Sequence, residues 1–425
     1  MARIILNTFG SFGDLHPYLA LAIELCKRGH QAVVATAEVY RTKVEAEGVE
    51  FAPVRPDIGE FLDNPEFIAK LWDPRTGPEF LIRDYVMPQV EGSYEDLLAA
   101  CRGADLLLTH AAAYAGPVVA EKLGMRWLSV VLQPMIFTSK YDAPVLSGAT
   151  WLKHLYGDGG WLFSLLMRLA EPKLMSWAKP LIELRQRIGL PPLHANPILE
   201  GQFSPFGTLA FFSEHFAKPQ PDWPPHVTMT GFISYDKRGE GFGESSGGDG
   251  LARFLENGPA PVLFTLGSSA VMNPGSFYQE SLAAAQTLGV RAVLLIGRLD
   301  RSHFHPVSPE SVFFADYAPY SEVMPRAAAI VHQGGIGTTA QALRAGRPTI
   351  VVPWSHDQPD NAERLRKLGV SRTIPRSGYT ARRSARELKQ LLNGEGYRIC
   401  AANLGAKLAK NDGLGRAADA VERSL

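Results

Sequence analysis

Residues 328–361, AAIVHQGGIGTTAQALRAGRPTIVVPWSHDQPDN, decide the fold. The apolar run Ala328 to Val331 is short enough for a buried strand, and it ends on His332, Gln333, Gly334 and Gly335, where the chain must turn. Thr338 to Ala345 is built from good helix formers and stops at Gly346; Arg347 to Pro353 is a second apolar strand. The unit is therefore strand, glycine turn, helix, strand, the building block of a parallel sheet.

The turn is where chemistry is expected. Gly334, Gly335 and Gly337 carry no side chains, so a bulky anion can approach the backbone, and the free amides and positive end of the following helix favour a phosphate. His332 precedes the turn as a hydrogen-bond donor, Thr338 and Thr339 add hydroxyls, and Asp357 with Gln358 follows the next strand with groups suited to sugar hydroxyls. A nucleotide sugar fits this set. A lone GGxG is more often only the tightly packed start of a helix.

Here it is not alone. The arrangement HxGGxGT, ALRAGRP and VPxxxDQxxNA resembles the donor-binding signature of family 1 glycosyltransferases, above all the bacterial enzymes that glycosylate antibiotics, sterols and lipids. The matching residues are His332, Gly334, Gly335, Gly337, Thr338, Gly346, Pro348, Pro353, Asp357, Gln358 and Asn361. The resemblance implies that His332 and the turn hold the diphosphate of a UDP- or dTDP-sugar and that Asp357 and Gln358 hold the sugar. It implies further donor contacts at Gly13, Ser268, Ser269, Tyr317, Ala318 and Trp354. No cofactor and no metal are expected, the nucleotide sugar being itself a substrate.

The whole chain is compatible with this. Its 425 residues suit two domains, and 46% apolar with 20% charged residues is ordinary for a globular protein. Lys plus Arg and Asp plus Glu both number 43, which leaves no net field to recruit nucleic acid. Cys26, Cys101 and Cys400 are odd in number and far apart, against a disulfide framework or zinc site and in keeping with a reducing cytoplasm. The chain enters a strand by Ile4 without signal-peptide regions, and its most apolar stretch, Trp161 to Ala170, is too short to span a bilayer.

Arg3 to Phe9 reads as a strand, GSFGD as a turn, Leu15 to Lys27 as a helix and Gln31 to Ala37 as the next strand; Ala104 to Leu132 repeats the pattern. Residues 136–184 change to helices rich in Trp151, Trp161, Phe163 and other large apolar side chains. Most of these are core, but Trp151, Trp161 and Phe163, with His16, are candidates for an apolar acceptor wall, and the segment also offers a face for peripheral membrane contact. PQPDWPP at 219–225 and GEGFGESSGGDG at 239–250 mark a boundary, after which the alternation restarts at Pro261.

GSFGDLHP and TLGSS at 265–269 resemble the openings of the two domains of the same family. The expected fold is accordingly α/β of the GT-B kind, two facing Rossmann-like domains with an interdomain cleft. Expected boundaries are 1–235 for an acceptor domain, 236–255 for a linker and 256–405 for the donor domain; 406–425 carries a last helix crossing back to the first. The expected reaction is inverting transfer to a lipophilic hydroxyl.

Asp14 has two readings. It is a helix N-cap before Leu15, with Pro17 in the first turn. By resemblance it is also the general base, with His110 as its relay partner and His16 as a further candidate. A nicotinamide dehydrogenase is disfavoured because neither glycine turn is GxGxxG. A sugar-nucleotide epimerase would need no acceptor pocket, and a non-catalytic nucleotide-sugar sensor would need no base.

Overall fold

The structure is a computed structural model that describes residues 1–61, 64–155, 160–236 and 248–425, apart from the side chains of residues 60, 61, 248, 249, 269 and 309. The chain divides into two compact units, Met1–Tyr235 with Asp412–Leu425, and Asp236–Asn411.

In the first unit the strands are β1 (Arg3–Asn7), β2 (Gln31–Thr36), β3 (Glu50–Pro53), β4 (Leu106–His110), β5 (Arg126–Val131), β6 (Thr208–Ala210) and β7 (Val227–Met229). They pair in parallel in the order β3-β2-β1-β4-β5-β6-β7. Helices cover both faces, so the central strands read as unbroken apolar runs: Ile4, Ile5 and Leu6 of β1 and Leu106, Leu107 and Leu108 of β4 are fully buried. The strand order reverses between β1 and β4, where Asn7 lies opposite Thr109. In open parallel sheets the crevice beyond such a reversal is where ligands bind.

The second unit repeats the plan with β8 (Val262–Thr265), β9 (Ala292–Leu295), β10 (Val312–Ala315), β11 (Ala329–His332), β12 (Thr349–Val351) and β13 (Ser371–Thr373), all parallel, in the order β10-β9-β8-β11-β12-β13. Its reversal lies between β8 and β11.

Five helices position or support the two turns and their surroundings: α1 (Phe12–Lys27), α2 (Trp161–Trp177), α3 (Ile336–Arg344), α4 (Gln358–Lys367) and α5 (Gly413–Glu422). Some bounds differ from the sequence reading. Helix α1 starts at Phe12 instead of Leu15, because Ser11 and not Asp14 is its cap. Helix α3 starts at Ile336, which puts Gly337 inside its first turn. Of the segment read as a linker, residues 237–247 lie outside the described residues, and Gly248–Glu256 is helical, its Leu251 buried in the core of the second unit despite the glycine-rich approach.

Helix α5 lies within the 406–425 segment expected to carry a last helix and belongs to the first unit, docked against α1. Arg28 at the end of α1 bonds Asp419 at 2.6 Å and Glu422 at 2.8 Å, and His30 Nε2 meets Glu422 at 3.2 Å. Gly413, at the start of α5, packs on the backbone after β7, where a Cβ would lie 2.4 Å from the Phe232 carbonyl oxygen.

Candidate active site

In the first unit, β1 delivers the chain into the turn Thr8 to Phe12 at the β1/β4 reversal. Ser11 is the N-cap of α1: its hydroxyl accepts the Gly13 amide at 3.2 Å. Asp14, three residues on, closes a capping box, its Oδ2 accepting the Ser11 amide at 2.8 Å. Gly13, expected as a donor contact, has its amide on the Ser11 hydroxyl. Gly10 makes the turn possible; its φ is +134°, and a Cβ there would lie 2.2 Å from Asp14 Oδ2.

Capping occupies only one oxygen of Asp14. The other, Oδ1, faces His110 Nε2 at the end of β4, 3.7 Å away. His110 Nδ1 accepts the Ala112 amide at 3.1 Å, so in the neutral ring the proton sits on Nε2, toward Asp14. Burial raises the pKa of Asp14, only partly opposed by His110 and by the Ser11 bonds, and burial lowers that of His110 against the pull of Asp14. The result is a carboxylate more basic than a free aspartate beside a neutral N–H donor.

His16 lies two residues further along α1, its ring 5.3 Å from that of Phe12 and 5.1 Å from that of Tyr235. Burial, with Lys43 nearby, drives its pKa down to about 3. That makes His16 a weaker base than Asp14.

Two recesses open beyond the ends of β1 and β4, both within the first unit, and one of them reaches His110. One is lined by Thr8, Phe9, Val86, Val90 and Tyr114; the other runs past His110, Tyr114, Pro117 and Leu181. Sequence motifs do not reveal this lining, because Val86 and Val90 join the site through tertiary packing alone. Of the expected acceptor wall, Trp151 and Trp161 are 61% and 68% exposed, whereas Phe163 is 1% exposed and is core. Phe163 turns inward because it is the one residue of α2 buried against the unit.

In the second unit, β11 ends on a fully buried His332. Its Nδ1 accepts the Gly334 amide at 3.1 Å, which again leaves the proton on Nε2; that atom is buried and has no partner among the described residues. Burial depresses its pKa to about 3, so it stays a neutral donor. Gly334 has φ +92°, and a Cβ on it would meet Val351 Cγ1 at 2.6 Å. Helix α3 is capped by Gly335, which has no side chain to accept its first-turn amides.

The surrounding residues brace this turn. Asn361 Nδ2 donates to the Gly334 carbonyl at 2.9 Å and to Asp357 Oδ2 at 2.7 Å, tying Asp357 to the glycines. Gln358 Oε1 accepts the Trp354 amide at 2.7 Å, so that oxygen is committed to the loop. Trp354 is itself buried, its indole N–H on the Asn273 carbonyl at 3.2 Å and the Arg376 guanidinium 4.8 Å above its ring.

Gly267, after β8, packs against Gln333: a Cβ there would lie 2.4 Å from Gln333 Nε2. Ser268 follows it in a short helix, Gly267–Ala270, while the side chain of Ser269 lies outside the described residues. Thr338 is buried against Gln333. Tyr317 bonds Asp236 at 3.1 Å and Ala318 is buried, which makes both supports of the loop after β10. Among the described residues no group of three or more His, Cys, Asp or Glu is arranged to hold a metal ion.

Residues 4–141 match the glycosyltransferase family 28 N-terminal domain, and residues 280–413 match the C-terminal domain of proteins like the erythromycin biosynthesis protein CIII. The chain is 31% identical to the O-mycaminosyltylonolide 6-deoxyallosyltransferase of Streptomyces fradiae over 434 residues, 99% of this chain and 97% of that one. It is a family 1 glycosyltransferase of the antibiotic type.

The glycosyltransferase also aligns over 99% of its length, at 26% identity, with a sterol 3-beta-glucosyltransferase of Leptosphaeria maculans, of which it spans 29%. The crystal structure of the glycosyltransferase VinC in complex with dTDP superposes with a TM-score of 0.69 at 20% identity, covering 99% of both chains, and shares the GT-B fold. The dehydrogenase, epimerase and sensor readings give way to this membership.

Proposed function

We propose that this glycosyltransferase moves a hexose or deoxyhexose from a UDP- or dTDP-sugar to a hydroxyl of a lipophilic acceptor, with inversion and with Asp14 as general base. The observation that carries this reading is the divided carboxylate of Asp14, with Oδ2 held by the Ser11 amide and Oδ1 turned to His110. The acceptor proton passes to Oδ1 as the acceptor oxygen attacks the anomeric carbon. The bond from that carbon to the β-phosphate breaks, and the diphosphate leaves with its electron pair. His110, a neutral donor, steadies the carboxylate.

The departing charge is met by the first-turn amides of α3 and by the N–H of His332, which has no partner among the described residues, an arrangement that asks for no divalent metal. Asp357, held by Asn361, receives sugar hydroxyls, and Gln358 takes part through its amide nitrogen, its oxygen being engaged. The recess that reaches His110 is lined mainly by apolar side chains and suits an apolar edge of an acceptor. Trp151 and Trp161 extend the apolar surface, where a lipid-borne acceptor or peripheral membrane contact would be met. No helix among the described residues is long and apolar enough to cross a membrane. The cytoplasm, where three free thiols persist, is the proposed place of action.

The test is to incubate the enzyme with UDP- and dTDP-hexoses and a panel of phenols, sterols and hydroxy fatty acids in excess chelator, and to read the anomeric configuration of the product by NMR. Inverted glycosides formed at full rate are expected. Retention of configuration, or activity lost to chelator and restored by magnesium, would overturn the reading.

A further inference from the structure

The Asp14 turn is held from a residue outside every motif in the chain. Tyr40 ends a short 3-10 helix, Glu38–Tyr40, that follows β2; it is 5% exposed, and its ring packs 5.2 Å from that of Phe12. Its hydroxyl donates to the Gly10 carbonyl at 2.8 Å. That carbonyl belongs to the same peptide group as the Ser11 amide, which donates to Asp14 Oδ2 at 2.8 Å.

A trans peptide is planar, with its C=O and N–H pointing in opposite directions, so fixing one fixes the other. The constraint is needed here because Gly10, at φ +134°, lies in a region where glycine rotates freely and other residues do not go. Without an anchor on the carbonyl, the Gly10–Ser11 peptide is free to turn over and withdraw its N–H from the carboxylate. The same glycine leaves the space that Oδ2 fills, since a Cβ would come within 2.6 Å of Asp14 Cγ.

From this chain of contacts we infer that Tyr40 is a positioning residue for the reaction: through the rigid Gly10–Ser11 peptide it holds Oδ2 of Asp14 in the cap and so presents Oδ1 to His110 and the acceptor. The inference rests on the proposed role of Asp14 as base. Tyr40 touches no reacting atom; it acts through one peptide plane.

The test is Tyr40→Phe, which keeps the ring against Phe12 and removes only the hydroxyl. The expected result is a fall in kcat of about tenfold with the donor KM unchanged. The acid limb of the kcat profile should also move to higher pH, because loss of the Ser11 amide bond removes a group that favours the ionised carboxylate. A purely structural role would lower the melting temperature and leave that limb in place.

Gly10→Ala provides a second route, since its Cβ displaces the carboxylate directly; it should lower kcat at least as far while leaving diphosphate affinity intact. Tyr40→Phe with wild-type kcat and wild-type acid limb overturns the inference, as does a melting temperature drop with no shift of the limb. Asp14→Asn run alongside separates the two levels. If it is inactive while Tyr40→Phe is wild type, only the positioning role fails, whereas if Asp14→Asn keeps its turnover, the base reading fails and takes this inference with it.

Discussion

The two glycine turns of this enzyme, Gly10 to Asp14 after β1 and His332 to Thr338 after β11, solve the same local problem in opposite ways. Each joins a buried parallel strand to a helix at the reversal of its own sheet. In the first, the cap is Ser11 and the third helical residue is Asp14, so the helix start is satisfied from within and carries its own anion. In the second, the residues at those two places are Gly335 and Thr338, so no side chain caps the helix and no resident charge meets its dipole. A buried His332 N–H without a partner among the described residues lies beside it. On the proposed function one supersecondary unit serves two chemistries, a capped turn presenting a carboxylate and an uncapped one receiving a phosphate.

The comparison is broken most severely by giving the second turn the chemistry of the first. Thr338→Asp places a carboxylate three residues after the cap, where it can complete the helix start and repel the ligand anion. We expect nucleoside-diphosphate affinity to fall at least about a hundredfold with the melting temperature little changed. Calorimetry with UDP and dTDP checks it, and near wild-type affinity would mean that the anion does not lie at this helix start.

A smaller effect is expected for His332→Ala, which removes one neutral donor and leaves the amides. Diphosphate affinity should weaken about tenfold in a folded protein. Unchanged affinity would assign the unpartnered N–H some other use. The smallest effect sharpens the other side: Ser11→Ala should cost about 1 kcal/mol of stability by chemical denaturation, as loss of an N-cap does. A cost near zero would show that the first turn is not held by its cap.

Much of the fold is legible in the sequence, and the exceptions have physical causes. The sheets can be read because strands buried on both faces are unbroken apolar runs, as in Ile4 to Leu6 and Ala329 to Val331, and glycines punctuate their ends. The cap of α1 is ambiguous from sequence because Ser11 and Asp14 are both good capping residues three positions apart; the capping box uses both, and only coordinates tell which is the cap.

Tyr40 is invisible to sequence reading because its partner is thirty residues away and is a backbone carbonyl, which no side-chain pattern reports. Phe163 misleads since composition says that a helix is apolar but not which residue turns inward. The helix from Gly248 is hidden by the glycines that lead into it. Gln358 is half legible: its place is marked, but the bond that commits its oxygen to Trp354 depends on the loop conformation.

The central claim is that the two turns divide the labour, one supplying the base and the other holding the donor. Asp14→Asn tests it most directly, because the amide retains a capping oxygen and the shape of the side chain while losing the basic oxygen. Diphosphate affinity by calorimetry and turnover are to be measured on the same preparation. The dissociation constant is expected within about twofold of wild type and kcat lower by at least about a hundredfold. Turnover within a few-fold of wild type would leave Asp14 as a cap and nothing more, and a matching loss of diphosphate affinity would show that the two turns do not act separately.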